Sequence, residues 1–188
     1  MFKELNMLQY FFKEPIRQFS VRELARILKQ APATVSKELK ELAKKGILKQ
    51  EKERGFHLYK ANIDSDLYRD LKVYYTIRQI KETGLLEKLN KFYRNPTILL
   101  FGSSAVGMDT ETSDIDLVII TDKTEYSSEL RSFEKKLNRE IQIFPVKTLE
   151  HVKNNHLLIN MVNGTLLQGR ITCISKNVFK KVSLKKHK

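Results

Sequence analysis

Asp114 immediately precedes the largely apolar run IDLVII (115–120), and Asp116 is the second residue of that run. Side chains two positions apart in a β-strand point to the same face, so this spacing predicts neighbouring carboxylates. Two adjacent carboxylates repel each other unless a cation lies between them. Because Mg²⁺ prefers oxygen ligands held close together, the pair predicts a divalent metal site.

A glycine–serine turn precedes the aspartates, separated from Asp114 by ten residues. Gly102, Ser103 and Ser104 follow directly after the apolar run ILLF (98–101). Glycine and serine at a strand-to-helix turn present backbone N–H groups and permit the close approach that a phosphate requires. The turn and the aspartates together favour a site for a phosphate-bearing ligand, such as a nucleoside triphosphate, with its metal.

This arrangement resembles the nucleotidyltransferase superfamily that includes DNA polymerase β and the minimal nucleotidyltransferases. The resemblance covers about residues 90–173 and rests on Phe101-Gly102-Ser103, a ten-residue spacer and Asp114-Ile115-Asp116, with NGTLLQG (163–169) as a closing segment. It implies that the turn, through Gly102, Ser103 and Ser104, holds the phosphates of ATP or another nucleoside triphosphate. It also implies that the two aspartates hold Mg²⁺.

Two positions depart from the pattern of that superfamily. Val106 stands where the minimal family usually has an arginine, and Gln142 stands where the family has a third carboxylate on a neighbouring strand. Glu140 would share the face of Gln142, since the two are two residues apart. The catalytic candidates are therefore Asp114, Asp116, Glu140 and Gln142, and whether they catalyse transfer stays open.

The basic charge of the chain is concentrated in its first half. The net charge is +13 over 188 residues, and residues 1–95 hold 21 Lys and Arg against 12 Asp and Glu. Residues 96–175 are slightly acidic, and the last 13 residues carry six lysines and no acid. This distribution favours a module that binds a polyanion, joined to a module with another task.

The first half also shows the element order of a winged helix. A helix over about 3–12 is followed by the capping-box pair Ser20 and Glu23, which predicts a second helix, and Pro32 suits the start of a third. Gly46 ends the third helix, and two short strands (47–51 and 56–61) follow around a charged turn. Residues 1–62 resemble the winged helix-turn-helix domains of MarR- and ArsR-type regulators.

The third helix is the predicted DNA reader. Its apolar positions Val35, Leu39 and Leu42 leave a face of hydroxyls and lysines, which can contact base edges and phosphates of double-stranded DNA. The DNA-binding candidates, including one at the tip of the wing, are Thr34, Ser36, Lys37, Lys40, Lys44 and Arg54.

The predicted fold class is α+β, with a winged helix-turn-helix domain (1–62) and a nucleotidyltransferase-like domain (96–175) built on a small mixed sheet. Between them, residues 63–95 are predicted to be helical with a break near Gly84, as a connector or dimerisation segment. Helices are also predicted over 125–138 and 148–162, strands over 98–101, 115–120, 140–146 and 165–167, and a basic tail over 176–188.

Three functions remain open at this level, and one of them is a plain interaction module that binds neither DNA nor nucleotide; the charge distribution and the two motifs favour the other two. The first is a DNA-binding, regulator-like protein, expected to be a homodimer, with a nucleotidyltransferase domain of uncertain activity. The second is an active enzyme that moves a nucleotide from ATP to a protein or nucleic-acid hydroxyl, as an antitoxin with a partner protein. No apolar run is long enough for a membrane helix, and the single cysteine, Cys173, fits a reducing cytoplasm.

Overall fold

The computed structural model describes residues 3–53, 55–125 and 130–171. Arg54, Cys173 and the basic tail (176–188) lie outside the described residues. The chain divides into two compact units, Met1–Tyr75 and Thr76–Lys188.

The first unit is a small bundle of helices with a three-stranded antiparallel sheet. Its elements are α1 (Lys3–Lys13), β1 (Phe19–Ser20), α2 (Val21–Leu28), α3 (Pro32–Lys44), β2 (Leu48–Glu53), β3 (Phe56–Ala61) and the first part of α4 (Asp66–Glu82). The strands lie in the order β1-β3-β2. The two-residue strand β1 was not predicted, because two residues carry no periodicity.

Local sequence signals set the boundaries of α2 and α3. Ser20 caps α2, and its hydroxyl accepts a hydrogen bond from the backbone N–H of Glu23, as the capping-box pattern predicts. Pro32 is the first residue of α3, where the missing N–H costs nothing. Val35, Leu39 and Leu42 are buried in the core of this unit, so the opposite face of α3 is left to the solvent.

The second unit is a four-stranded mixed sheet with helices on both faces. Its elements are the end of α4, α5 (Leu85–Tyr93), β4 (Thr97–Phe101), β5 (Ile115–Ile120), α6 (Arg131–Leu137), β6 (Ile141–Val146), α7 (Asn155–Val162) and β7 (Thr165–Gln168). The strands lie in the order β6-β5-β4-β7. β5 and β6 are parallel, whereas β4 is antiparallel to β5 and to β7.

The predicted fold class is confirmed, and three boundaries need comment. The break near Gly84 is real, since Gly84 adopts a φ of +81° between α4 and α5. The helix predicted over 125–138 is wrong at its start, because α6 begins only at Arg131 and Glu125 is not helical. The helix predicted over 148–162 is interrupted: a short 3₁₀ turn at Leu149–His151 is followed by α7, which Asn154 caps.

Each face of the second sheet has its own apolar core. One core lies on the side of α5 and α6 and takes Leu117 from β5, and the other takes Val118 from β5 together with Leu158 and Met161 of α7. Side chains of a strand alternate between faces, so Asp116 lies on the face that Val118 occupies. Among the described residues, no helix combines the length and the apolar character needed to cross a bilayer.

Candidate functional site

The acid pair lies at one end of the central strand of the second sheet. Asp116 is paired with Phe101 of β4 on one side and with Gln142 of β6 on the other, and Asp114 comes just before the strand. Ile115 and Leu117 are buried on the opposite face, as the alternation predicts. The strand therefore begins with charged residues because Asp114 and Asp116 form a polar site at the end of the sheet, on the face opposite Ile115 and Leu117.

The glycine–serine turn lies directly against one of these carboxylates. Gly102 follows β4 with a φ of +72°, a conformation that other residues rarely adopt. A Cβ placed on Gly102 would lie only 2.4 Å from Oδ2 of Asp116. The absence of a side chain at Gly102 is therefore what lets the glycine–serine turn lie directly against the acid pair.

The residues after Gly102 form a 3₁₀ turn (Ser103–Ala105) in which the two serines differ. Ser103 is half-buried at the surface of the turn, whereas Ser104 is fully buried. The Ser104 hydroxyl lies 3.3 Å from the carbonyl oxygen of Asp114 and accepts a hydrogen bond from Arg139. The Ser104 side chain thus ties the turn to the acid pair, and only its backbone is left to contact a ligand.

Arg139 is the residue that the sequence did not predict. Its guanidinium donates to the carbonyl oxygens of Ser113 (2.6 Å) and Asp114 (2.7 Å), to the hydroxyl of Ser104 (2.6 Å) and to the carboxylate of Asp109 (2.9 Å). The side chains of Arg139 and Asp109 are only 13% and 4% exposed. The guanidinium of Arg139 therefore links the glycine–serine turn, through Ser104, to the start of the acid pair, through Ser113 and Asp114.

Gln142 occupies the strand position beside Asp116, and its side chain is turned to Asp114. The Nε2 amide donates a hydrogen bond to Oδ2 of Asp114. Glu140, two residues earlier, is exposed, and its carbonyl oxygen accepts from the backbone N–H of Ile115. The carboxylate that the resembled family uses at this position is thus replaced by an amide that points a proton, not an oxygen, at the aspartate.

These donors fit one divalent cation but not a two-ion cage. Asp114 and Asp116 supply hard carboxylate oxygens, whereas Gln142 supplies only a neutral amide where the resembled family has a third carboxylate. Among residues 3–53, 55–125 and 130–171, no group of three or more Asp, Glu, His or Cys side chains is placed to hold a metal. Asp114 and Asp116 would hold such a cation, which would supply positive charge to offset that of the two carboxylates.

The surroundings of the pair disfavour the ionised form of Asp116. Burial raises the pKa of Asp116 above the ordinary 3.8, and the negative charge of Asp114 raises it further, while Arg139 acts in the opposite direction. The pair therefore costs folding energy whenever both carboxylates are ionised and no cation is bound.

Replacing Asp116 with asparagine is expected to stabilise the folded protein at neutral pH. The folded state binds the proton of Asp116 more tightly than the unfolded state does. In the wild type, protonation of Asp116 therefore stabilises the fold fully below the unfolded-state pKa, and this contribution is lost as pH rises through the folded-state pKa. The gain from Asp116→Asn should therefore grow from acidic to neutral pH in urea unfolding experiments. Asp122→Asn, at an exposed position of the same unit, is the control, and an equal gain in both variants would contradict this assignment.

The position of the missing family arginine faces the solvent. Val106 is 48% exposed and Met108 is 64% exposed, so exposed apolar side chains lie on the turn where the resembled family has an arginine. A phosphate held at this turn would depend on the backbone N–H groups of Gly102 and Ser103.

The second candidate site is the outer face of α3. Thr34, Lys37, Lys40 and Lys44 are exposed, and Ser36 is half-buried. Within the described residues, the three lysines form no ion pair. The positive charge of this face is therefore available to an external partner, although Arg54 of the wing lies outside the described residues.

A groove of about 710 Å³ runs between the start of α3 and the wing formed by β2 and β3. Ser36 and Pro32 line it on the helix side, and His57 and Phe56 line it on the wing side, with Phe56 59% exposed. Arg22, at the start of α2, adds an exposed cation to the same groove. Arg22 and Phe56 were not predicted, because an isolated surface arginine or phenylalanine carries no pattern.

Two solved structures are similar to parts of this chain. A possible transcriptional regulator from Methanosarcina mazei Go1 is similar at 25% identity and a TM-score of 0.31, over 50% of this chain and 78% of that chain. A toxin–antitoxin crystal structure with AMP-PNP is similar at 20% identity and a TM-score of 0.37, over 59% of this chain and 87% of that chain. No curated protein matches the chain.

Two family models match separate parts of the chain. Residues 82–162 match the nucleotidyltransferase domain, and this range includes the glycine–serine turn, the acid pair and Gln142. Residues 10–56 match the N-terminal DNA-binding domain of iron-dependent repressors, and this range includes α2, α3 and β2. The chain is therefore a fusion of an N-terminal winged-helix DNA-binding domain with a C-terminal nucleotidyltransferase domain.

Proposed function

We propose that the protein is a transcriptional regulator that recognises duplex DNA through α3 and carries a nucleotidyltransferase domain of limited catalytic equipment. The observation that carries this proposal is the exposed face of α3, where Lys37, Lys40 and Lys44 lie on the same surface as Thr34 without an ion pair among the described residues. Short hydroxyl side chains suit contacts with base edges, and lysines suit phosphates.

The wing and α2 extend this surface. Arg22 and the exposed Phe56 lie on the groove beside α3, so a DNA backbone that passes through the groove would meet both a cation and an apolar ring. Winged-helix readers commonly act as dimers on paired half-sites, and we propose a homodimer for this protein as well. The cytoplasmic location expected from the sequence stays a prediction.

Replacing Lys37 and Lys40 with alanine is expected to weaken duplex binding and to flatten its dependence on salt. Each lysine–phosphate contact contributes about 0.9 to the slope of log K against log salt, so losing two contacts lowers the slope by about 2. A binding motif is first selected from a random duplex library with the wild-type protein, and fluorescence anisotropy on that motif then measures affinity over a salt series.

Two further variants decide what the result means. Lys81→Ala/Lys135→Ala removes the same charge from exposed positions of the second unit and should leave the slope unchanged. Asp114→Asn/Asp116→Asn should retain sequence-specific binding, because the acid pair lies in the other domain. An unchanged slope in the α3 variant, or no enriched motif in the selection, would overturn the proposal.

A second candidate function, nucleotide binding with transfer, is favoured by the contact between Gly102 and the Asp116 carboxylate. In this function Gly102 and Ser103 hold the phosphates of ATP or another nucleoside triphosphate, and the two aspartates hold Mg²⁺. The bound metal would neutralise the charge that develops on the transferred phosphate. The acceptor would be a hydroxyl of a protein or nucleic acid, including that of a partner protein if the chain acts as an antitoxin.

The amide of Gln142 is the reason to place this function second. Its hydrogen bond to Asp114 occupies one carboxylate oxygen, and no third carboxylate completes the site among the described residues. Glu140 remains the candidate substitute, since it is exposed next to the pair of strands that carries the site. Binding of one metal–nucleotide complex without turnover fits these donors better than transfer does.

A further inference from the structure

The end of the second sheet that lies opposite the acid pair is lined by basic residues. β5, β6 and β7 run in the same direction, and β4 runs in the opposite direction. The start of β4 therefore lies beside the ends of β5, β6 and β7, at one end of the sheet. A cleft of about 820 Å³ opens there. Ile120 lines the cleft and is four residues along β5 from Asp116, so the cleft begins about 13 Å from Asp116 and is separate from the acid pair.

Each of the four strands contributes one cation to this cleft within three residues of its end. Arg94 precedes β4, Lys123 follows β5, Lys147 follows β6, and Arg170 follows β7. Neighbouring strands are about 4.8 Å apart, so four strands spread the cations over roughly 15 Å. This width exceeds one phosphate group and suits several consecutive phosphates of a chain.

The charge of this cleft is only partly neutralised. Asp122 and Glu125 also line it, which leaves four cations against two acids, a net charge of +2. Lys123 packs over the ring of Phe92 at 3.5 Å and lies 3.9 Å from the Glu125 carboxylate. Among the described residues, Arg94, Lys147 and Arg170 make no ion pair, and all three are exposed.

The backbone holds Arg94 at the rim of the cleft in a demanding conformation. Arg94 and Asn95 both have positive φ values, +58° and +56°, and Pro96 follows. The left-handed conformation of Arg94 forms the C-cap of α5, and its backbone N–H donates to the carbonyl oxygen of Asn90.

We propose that this basic cleft, defined by Arg94, Lys123, Lys147 and Arg170, binds the phosphodiester backbone of nucleic acid. It is a second polyanion contact, independent of α3, and it places nucleic acid on the nucleotidyltransferase domain. Arg94, Lys147 and Arg170 are exposed cations that form no ion pair among the described residues, which suits contacts with a phosphate backbone, and such contacts carry no sequence information.

The test uses the full chain and a short duplex of unrelated sequence in anisotropy titrations over a salt series. Lys147→Ala/Arg170→Ala is expected to weaken binding and to lower the salt slope by about 2, since two phosphate contacts are lost. The matched control is again Lys81→Ala/Lys135→Ala, which removes equal charge outside the cleft. Equal effects of the two variants, or no effect of either, would overturn the proposal.

A second readout does not depend on any variant of the cleft. In the Lys37→Ala/Lys40→Ala background, adding a short oligonucleotide should still shift the backbone amide resonances of Thr121, Thr148 and Arg170, and should shift those of α3 less than in the wild type. If pyrophosphate shifts these amides and the oligonucleotide does not, the cleft is a small-anion site and the proposal fails. If the cleft does not bind nucleic acid, the salt dependence measured for Lys37→Ala/Lys40→Ala still tests DNA binding by α3, so the two proposals are judged separately.

Discussion

Replacing Arg139 with alanine is expected to lower the free energy of unfolding by about 3–5 kcal/mol, because it breaks the ion pair with Asp109, whose side chain is 4% exposed. The same change removes hydrogen bonds to the carbonyl oxygens of Ser113 and Asp114 and to the hydroxyl of Ser104. Urea unfolding followed by circular dichroism measures the loss.

The comparison variants separate charge from geometry in this network. Arg131→Ala removes an exposed arginine from the neighbouring helix α6 and should change stability by less than about 0.5 kcal/mol. Arg139→Lys keeps the charge but not the planar fork, so it should fall between the alanine variant and the wild type. If Arg139→Ala is no less stable than Arg131→Ala, the network does not hold the loop.

Arg139 also positions the acid pair, which gives a readout beyond stability. In Arg139→Lys at a temperature where the protein stays folded, the amide resonances of Gly102 and Asp116 should shift, whereas Arg131→Ala should leave them in place. A purely structural role in the core would lower stability without moving these two resonances.

Short-range patterns made most of the fold predictable. The Ser20 and Glu23 pair marked the start of α2, and Gly84 marked the break between α4 and α5, because caps and left-handed turns depend on one or two residues. The alternation around Asp116 predicted its exposed face for the same reason. Periods and caps are local, so a single sequence is enough to read them.

The interactions that hold the site together are long-range and were not predictable. Asp109 and Arg139 are separated by 30 residues, and both lie outside regular elements, so no period marks either as buried. Ser104 was expected to belong to a phosphate-binding turn, and nothing in the sequence indicated that its hydroxyl is buried against Asp114 and Arg139. A loop built from polar side chains gives no hydrophobic signal to separate structural residues from ligand-binding ones.

The orientation of one side chain decides how far the second domain resembles a transferase. The sequence placed Gln142 where a third carboxylate is expected, and the strand register confirms that it lies beside Asp116. What the sequence could not show is that its amide donates to Asp114. Such a contact is a hydrogen bond between side chains on different strands, and it depends on how the sheet packs.

Replacing Gln142 with glutamate is expected to make the stability of the protein depend on divalent cations. The change removes the hydrogen bond to Asp114 and adds a third negative charge to a pair in which the pKa of Asp116 is already raised by burial and by Asp114. Without metal, repulsion should lower stability at neutral pH. With Mn²⁺ at about 100 times its Kd, binding should restore about 2.7 kcal/mol.

The wild type serves as its own contrast in these experiments. Its stability should respond less to Mn²⁺ than that of Gln142→Glu, in both thermal unfolding and calorimetric titration. Gln142→Leu removes the amide without adding charge, and it separates loss of the hydrogen bond from gain of a ligand. The triple variant Asp114→Ala/Asp116→Ala/Gln142→Glu should lose the Mn²⁺ response, because a single carboxylate remains at the site.

The same set of proteins distinguishes a binding domain from an enzyme. Titration of ATP with Mg²⁺ into the wild type should show binding that Asp114→Ala/Asp116→Ala abolishes, without release of pyrophosphate. If the wild type binds Mn²⁺ as tightly as Gln142→Glu does, the amide does not limit the site. Release of pyrophosphate by the wild type, lost in Glu140→Gln, would show that Glu140 supplies the missing carboxylate, and the transferase function would then take first place.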